Sequence, residues 1–294
     1  MRNLILSCVL CWNTVGCGAD FTPSSRVDKL RLLAVSADAP FAQPGEQVVL
    51  QPLLAAPEDS PVSWAFATCS RPDASSVEGC LRALEGPFRD FDPEQAKLQL
   101  AVDPQADHSG AAVLGVILVA CPGAIESGTT QGVPVVCRGV AGERMALDTF
   151  EVGMKRISIR ERDRNGNPTI DALTWDGEAW PEDELKSATA CDDGGHDIDA
   201  CPAALRHRIG IETSAAEQGV DERGAPFEEQ QIVQVYASHG SFAYEVRIAS
   251  DADNRWVAQH SPHHVSEEEL ATLWFVVRDD RGGVGWQRRR VRVR

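Results

Sequence analysis

The feature that most constrains this chain is a period-two apolar pattern, interrupted every few residues by turn formers. Val62, Trp64, Phe66 and Thr68 alternate with Ser63, Ala65 and Ala67, the mark of a half-buried strand. Leu98, Leu100 and Val102 alternate in the same way. Leu30 to Ala37 stops at Asp38-Ala39-Pro40, Pro44-Gly45 marks a turn, and Val48 to Ala55 is closed by Pro57. Val113 to Ala120 is almost wholly apolar and reads as a central strand buried on both faces.

About seven such strands before residue 160 point to a sandwich. The pattern resumes after 161–168, ERDRNGNP, a polar, turn-rich stretch taken as the boundary. The expected fold is all-β, with two immunoglobulin-like antiparallel β-sandwich domains in tandem, 27–160 and 161–294. A chain of 294 residues with 43% hydrophobic content can supply two cores. Trp64 reads as a core tryptophan. Cys69 follows it, whereas a true immunoglobulin pattern has a cysteine on the preceding strand, so the likeness is one of architecture.

In the second half, Ile170 to Trp175 is a strand ending in the turn Asp176-Gly177. Leu205, His207, Ile209 and Ile211 share one face, which makes His207 a core or edge histidine. Ile232 to Ala237 and Phe242, Tyr244, Val246, Ile248 form a strand pair around Ser238–Ser241. Ser266 to Glu269 has the form of a capping box for one helical turn. Leu273 to Arg278, Asp279 to Gly283 and Val284 to Val293 make a closing hairpin. Apolar parity changes at Leu147/Phe150, at Met154/Ile157, and between Val284/Trp286 and Val291/Val293. A one-residue slip turns every side chain over, so bulges are expected at these places, the last near Gln287–Arg290. Arg290, Arg292 and Arg294 then project from the solvent side of a last strand and blunt a sheet edge.

Residues 1–16 read as a signal peptide. Arg2 gives a positive start, and Leu4 to Gly16 is mostly apolar yet too short to span a bilayer. Thr14-Val15-Gly16-Cys17 resembles the lipobox of bacterial lipoproteins. That resemblance implies cleavage before Cys17, a diacylglyceryl group on its thiol and acylation of the new amino group. More than one buried acyl chain makes attachment stable. Gly18 in second place implies outer-membrane sorting, and 17–26 becomes the lipidated cysteine and its tether. Cys69, Cys80, Cys121, Cys137, Cys191 and Cys201 remain, an even set that reads as disulfides in an exported chain. Of the fifteen pairings that six cysteines allow, the nearest-neighbour set is favoured, because each closes a loop where strand alternation stops. Among these six, no cysteine pair has the spacing of a structural zinc site.

A net charge of −16 opposes nucleic-acid binding, which needs clustered positive charge. There is no Gly-x-Ser-x-Gly elbow, no His-Glu-x-x-His and no phosphate-cradling loop. The leading expectation is a non-catalytic envelope protein without a cofactor, serving binding, adhesion or spacing toward a protein or glycan partner. Three stretches offer alternatives. Asp192, Asp193, His196, Asp197 and Asp199 lie inside the 191–201 loop and carry oxygen and imidazole ligands for Ca²⁺ or a transition metal, which would make a metal-binding module or hydrolase. Their spacing fits no defined metal loop, and a solvated acidic turn is the plain alternative. His260, His263 and His264 could ligate zinc, although Pro262 favours a loop. Asp163 to Asn167 faintly resembles a calcium loop, but Pro168 stands where the sharp-turn glycine belongs. Trp175, Trp180 and Trp256, in or beside loops, could stack on sugars.

Gly16-Cys17-Gly18, the 27–37 run, Pro44-Gly45-Glu46, Trp64 with Cys69, Asn165 to Pro168 and Trp274 to Trp286 together resemble uncharacterised lipoproteins of myxobacteria and their relatives. The resemblance implies an address and an architecture and brings no catalytic or binding residues.

Overall fold

The computed structural model describes residues 23–56, 62–69, 80, 89–90, 112–130, 133–139, 141–146, 148–191, 197–221, 224–261 and 269–294. The signal peptide, Cys17, Leu98 to Val102, Leu147, Asp192, Asp193, His196, His263 and His264 lie outside the described residues.

The described chain is all-β. Its first half holds β1 (Arg31–Ala37), β2 (Phe41–Ala42), β3 (Leu50–Ala55), β4 (Ser63–Cys69), β5 (Arg89–Asp90), β6 (Ala112–Cys121), β7 (Ala124–Thr130), β8 (Val133–Arg138) and β9 (Glu151–Ile159). A five-stranded sheet runs β2-β9-β6-β4-β5, with ribbons β1-β3 and β7-β8 beside it. The apolar run of β6 has the cause expected of it. Leu114, Val116, Leu118 and Ala120 face Trp64, Phe66 and Ile157 and the β1-β3 residues Val35, Ala37 and Leu50. Ile117, Val119 and Cys121 face the opposite way, toward Val135, Cys137, Phe150 and both cysteines of Cys69–Cys80. The sheet is covered on both sides.

That double cover corrects the bulge expected at Met154/Ile157, while the change at Leu147/Phe150 rests on Leu147, outside the described residues. β9 pairs with β6 in unbroken register from Glu151 to Ile159. Phe150 and Met154 belong to one core and Ile157 and Ile159 to the other. The parity change records two apolar faces with different covers, not a slip. The bulge in this half's main sandwich sits instead in β1, between Leu32 and Ala34. Leu30 and Leu32 point into the first core, Leu33 and Ala34 point away from it, and Val35 and Ala37 point back.

The second half holds β10 (Ile170–Trp175), β11 (Glu178–Ala179), β12 (Lys186–Ala188), β13 (Arg206–Thr213), β14 (Gln218–Val220), β15 (Pro226–Glu228), β16 (Gln231–Ala237), β17 (Ser241–Phe242), β18 (Val246–Ile248), β19 (Asn254–Val257), β20 (Glu269–Asp279) and β21 (Val284–Val293). Two five-stranded sheets, β11-β10-β13-β19-β17 and β12-β21-β20-β16-β18, enclose a core of Leu173, Trp180, Ile209, Val235, Trp256, Leu273, Phe275 and Val291. Glu269 opens β20, and the rest of the expected capping box, Ser266 to Glu268, lies outside the described residues. The expected pair 232–237 with 242–248 divides: β17 joins β19 in one sheet, and β18 joins β16 in the other. Only Phe242 of that apolar series is buried, while Tyr244, Val246 and Ile248 stay in solvent.

The hairpin β20-β21 keeps one register from Glu269↔Val293 to Arg278↔Val284. No bulge occurs at Gln287–Arg290, again because the sheet is apolar on both faces. Val291 and Val293 enter the second core. Trp274, Val276, Val284 and Trp286 face outward, where Val27, Leu33, Ala34, Leu53 and Ala55 of the first half meet them. Nor is β21 an open edge at its end, since β12 pairs with it in parallel over residues 291–293. A short parallel strand also closes β9, through β2, and isolated parallel bridges join Arg26 to Ala237 and Ala190 to Ala258, so the antiparallel pairing is broken in both halves. Arg290 is exposed as expected, but Arg289 is buried and donates to Trp180 O at 3.0 Å.

Three disulfides staple the loops: Cys69–Cys80, Cys121–Cys137 and Cys191–Cys201. Each closes a span of 10 to 16 residues, and loops near that size contribute about 3 kcal/mol in the chain-entropy view. They are the chemistry of an oxidising compartment outside the cytosol. Among the described residues, no helix is long and apolar enough to cross a membrane.

Candidate functional site

The densest polar construction in the described structure lies where the halves meet, at 161–168 and the β20-β21 turn. In the sequence, 161–168 is a turn-rich linker. In the fold it is fastened on both sides. Asn167 Nδ2 donates to Ala37 O at 2.7 Å, and Asn167 Oδ1 accepts the Val284 N–H at 2.9 Å. One side-chain amide thus bridges the first half and the last hairpin. Arg164 pairs with Glu46 at 2.7 Å and donates to Phe41 O at 3.2 Å. Asn165 is buried, and its Nδ2 donates to Asp279 Oδ2 at 3.4 Å.

The turn Asp279 to Gly283 is shaped for this contact. Asp279 Oδ1 accepts the N–H of Arg281 at 2.9 Å and of Gly283 at 2.7 Å, which closes the turn on itself. A Cβ at Gly283 would lie 2.7 Å from Gly166 O, and one at Gly285 2.1 Å from Pro168 O. Only glycine lets the hairpin approach the linker backbone so closely.

Arg281 projects from that turn into a cage of carboxylates. It lies 2.7 Å from Asp163, 3.3 Å from Glu229 and 3.5 Å from Glu217. Its guanidinium is sandwiched between the rings of Phe41, at 4.7 Å, and Phe227, at 4.0 Å. The side chain is 12% exposed and that of Glu229 only 2%. Burial pushes the Glu229 carboxyl above its usual range, with Asp279 and Glu217 adding to the rise and Arg281 opposing it. Asp163 to Asn167 faintly suggested a calcium loop in the sequence. In the structure the cation beside Asp163 is the guanidinium of Arg281.

A second cation crosses the joint. Lys155 of β9 donates to Gly282 O at 2.5 Å. Burial first, and the neighbouring Arg278 second, push its ammonium down to about 8, while Asp279 pulls it up. Arg278 itself donates to Leu33 O at 2.6 Å and to Gln234 Oε1 at 2.6 Å.

The other sequence candidates fall elsewhere. Asp197 caps a 3-10 turn at Ile198–Ala200 by accepting the Asp199 N–H at 2.9 Å. Asp199 pairs with Arg206 at 2.9 Å and Arg255 at 3.1 Å. Both carboxylates are thus occupied in local structure. Among the described residues, no three or more His, Cys, Asp or Glu side chains are grouped so that they could hold a metal ion. Trp175, Trp180 and Trp256 are 7%, 1% and 0% exposed and sit in one core, so none is free to stack on a sugar. The loop-side positions misled because the rings turn inward. Trp175 meets Trp180 edge-on at 4.9 Å and stacks on His207 at 4.3 Å. His207 Nδ1 lies 2.8 Å from Asp176 Oδ2, consistent with an edge histidine, although its buried Nε2 has no partner.

One polar row escaped the sequence. Ser238 Oγ lies 2.8 Å from His239 Nδ1 and accepts the Thr272 N–H at 2.8 Å. His239 Nε2 lies 3.7 Å from Glu269 Oε2. Burial holds this imidazole below its usual range, against the pull of Glu269. The row ties the bend after β16 to the start of β20. No spacing in the sequence announces it, because Glu269 reaches it only through strand pairing. A groove of about 840 Å³ lies between the ends of β13, β16 and β18, with Ile211, Ile232 and Ile248 among apolar walls and Glu212 and Glu228 at its sides.

No protein-family model matches the sequence, and no curated protein matches it. Among solved structures the chain is similar to the crystal structure of Drosophila N-cadherin EC1-4, with 11% identity and a TM-score of 0.23. The match covers 89% of this chain and 49% of that one, so the chain spans about half the length of the structure it matches.

Two outcomes are expected at the joint. Arg281→Ala takes the guanidinium away from the buried Glu229 carboxyl and lowers stability by roughly 2–3 kcal/mol, read from urea unfolding; an unchanged midpoint would show the cage to be idle. For Lys155, a folded value of about 8 against about 10.4 unfolded means that the unfolded chain holds more protons between these limits. Wild-type stability then rises from pH 8 to 10 relative to Lys155→Met, by about 1–3 kcal/mol. Parallel pH profiles for the two proteins would contradict this placement of the ammonium.

Proposed function

We propose that this chain is a lipid-anchored protein of the bacterial cell envelope, and that its two sandwich domains, 27–160 and 161–294, act as one stiff unit presenting or spacing a partner. The observation that carries the reading is the joint. An apolar sheet face, a bridging amide and a caged guanidinium hold the halves together where a mobile linker would otherwise stand. Relative domain motion is the default for small polar interfaces and yields to large apolar ones. Stiffness suits a scaffold or an adhesion module better than an enzyme that must close around a substrate.

The address is supported by three loop-closing disulfides, by the lipobox-like Thr14 to Cys17 and by the resemblance to myxobacterial lipoproteins. Gly18 after the acylated cysteine favours the outer membrane. The partner is a protein or glycan of the envelope, engaged through a surface other than the buried tryptophans. Nucleic acid is disfavoured by the charge of −16. The reading is tested by expressing the full chain in a Gram-negative host and digesting intact and lysed cells with protease, alongside a Cys17→Ser variant. The expected result is membrane-fraction protein carrying acyl mass on Cys17, lost in the variant. Wild-type protein that stays in the soluble fraction without acyl mass would overturn the anchor. Digestion on intact cells points to an outward-facing adhesin, and protection until lysis to a periplasmic spacer.

A further inference from the structure

We infer that the ledge formed by Tyr244, Val246 and Ile248 rests on a lipid bilayer and seats the anchored protein on the membrane. The inference depends on the lipidation of Cys17 proposed above. These are three of the larger apolar side chains left in solvent, at 49%, 49% and 61% exposure. Val246 and Ile248 occupy alternate positions of β18 and so share one face, and Tyr244 stands two residues ahead of them at the entry to the strand. Val246 and Ile248 belong to β18, which ends the sheet β12-β21-β20-β16-β18. The first half covers the same face farther in, through Tyr236 and Trp274, and stops short of this edge strand. An apolar strip on an open sheet edge is a liability unless something covers it.

The position of the chain's entry says what covers it. The described chain begins at Pro23, beside the ledge. Ser24 Oγ donates to Glu245 Oε2 at 2.5 Å, and the Ser25 N–H donates to Glu245 Oε1 at 3.2 Å. Glu245 lies between Tyr244 and Val246. The Val27 N–H donates to Ala237 O and the Ala237 N–H to Ser25 O, so the entering segment is tied along the end of β16. Six peptide units separate Cys17 from Pro23, and an extended chain spans at most about 3.6 Å per residue, or about 22 Å here. Acyl chains on Cys17 thus bring a bilayer to within about 22 Å of Pro23, whose neighbour Ser24 is bonded to the residue between Tyr244 and Val246. The chemistry of the strip fits that surface. A tyrosine suits the headgroup level, with its ring in apolar surroundings and its hydroxyl in water, and valine and isoleucine suit the layer beneath. The adjacent Arg247 guanidinium is paired with Asp251 and lies 4.5 Å from the Tyr244 ring centroid, so it brings no unpaired charge to the strip.

The test uses the full lipidated protein, with acyl mass on Cys17 verified by mass spectrometry. It is reconstituted into phosphatidylethanolamine–phosphatidylglycerol vesicles, and amide hydrogen exchange is compared with that of the soluble Cys17→Ser form made without its signal. The expected result is exchange slowed at least fivefold over 242–248 in vesicles, with β6 and β13 unchanged. The triple variant Tyr244→Ser/Val246→Ser/Ile248→Ser is expected to melt like wild type, to stay in the vesicles through its acyl chains and to lose that protection. Acylated protein exchanging equally over 242–248 in both settings would overturn the ledge and leave the anchor standing. Absence of acyl mass would overturn both. Protection that appears in the soluble form as concentration rises, together with a dimer mass, would assign the strip to a second copy of the chain and overturn the bilayer assignment.

Discussion

The structure depends on one sheet with two apolar faces. In β20 the residues Leu273, Trp274, Phe275, Val276 and Val277 are all buried, and alternate members point into different cores. Such a strand cannot leave either face in water: each large apolar side chain returned to solvent costs about 1.5–3 kcal/mol. One face is covered by β10, β13 and β19 of the same half. The other needs the β1-β3 ribbon of the first half. The ribbon has the same requirement in reverse, because Leu33 and Ala34 have no place in their own core. From the outer ribbon β7-β8 through both sandwiches to β10-β13, every layer borrows a cover from its neighbour.

Polar groups fix the angle at which these layers meet. Apolar contact is non-directional, but the Asn167 amide, the Asp279 turn and the caged Arg281 allow only one orientation. The cage holds three carboxylates around one guanidinium, and aromatic rings close it on two sides. Breaking up such a group is expensive, because each partner left behind is a desolvated charge. The inward-facing lysine acts in the opposite sense: Lys155 is ionised at neutral pH at a cost set by its burial and offset in part by Gly282 O.

Much of this architecture is legible in the sequence. A period-two run marks β4, an almost wholly apolar run marks β6, turn signals bound β10 and the closing hairpin, and the nearest-neighbour disulfides follow from where alternation stops. The errors share one physical cause. Parity changes in β9 and β21 look like slips of register when one face is assumed to be wet. They are changes of partner when both faces are dry. The same assumption gives Trp175, Trp180 and Trp256 to solvent because they lie in or beside loops, while their rings fill a core. The joint is hidden for a different reason. Arg281 and Asp163 stand 118 residues apart, and Glu229 lies distant from both, so no local window contains the cage. The glycines of the closing turn, which permit the contact, read locally as hairpin punctuation and nothing more.

A stiff two-domain unit held close to a membrane suits a role in spacing or presentation, and its central physical claim is that neither half stands alone. That claim is tested most directly by urea unfolding with the disulfides intact, followed by hydrogen exchange at the β6 amides of the first half and the β20 amides of the second. Shared covers predict one transition, with both sets of amides losing protection at the same midpoint. Two separated midpoints, with β20 still protected after β6 has opened or the reverse, would contradict the interdependence of the halves and return residues 161–168 to the status of a simple linker.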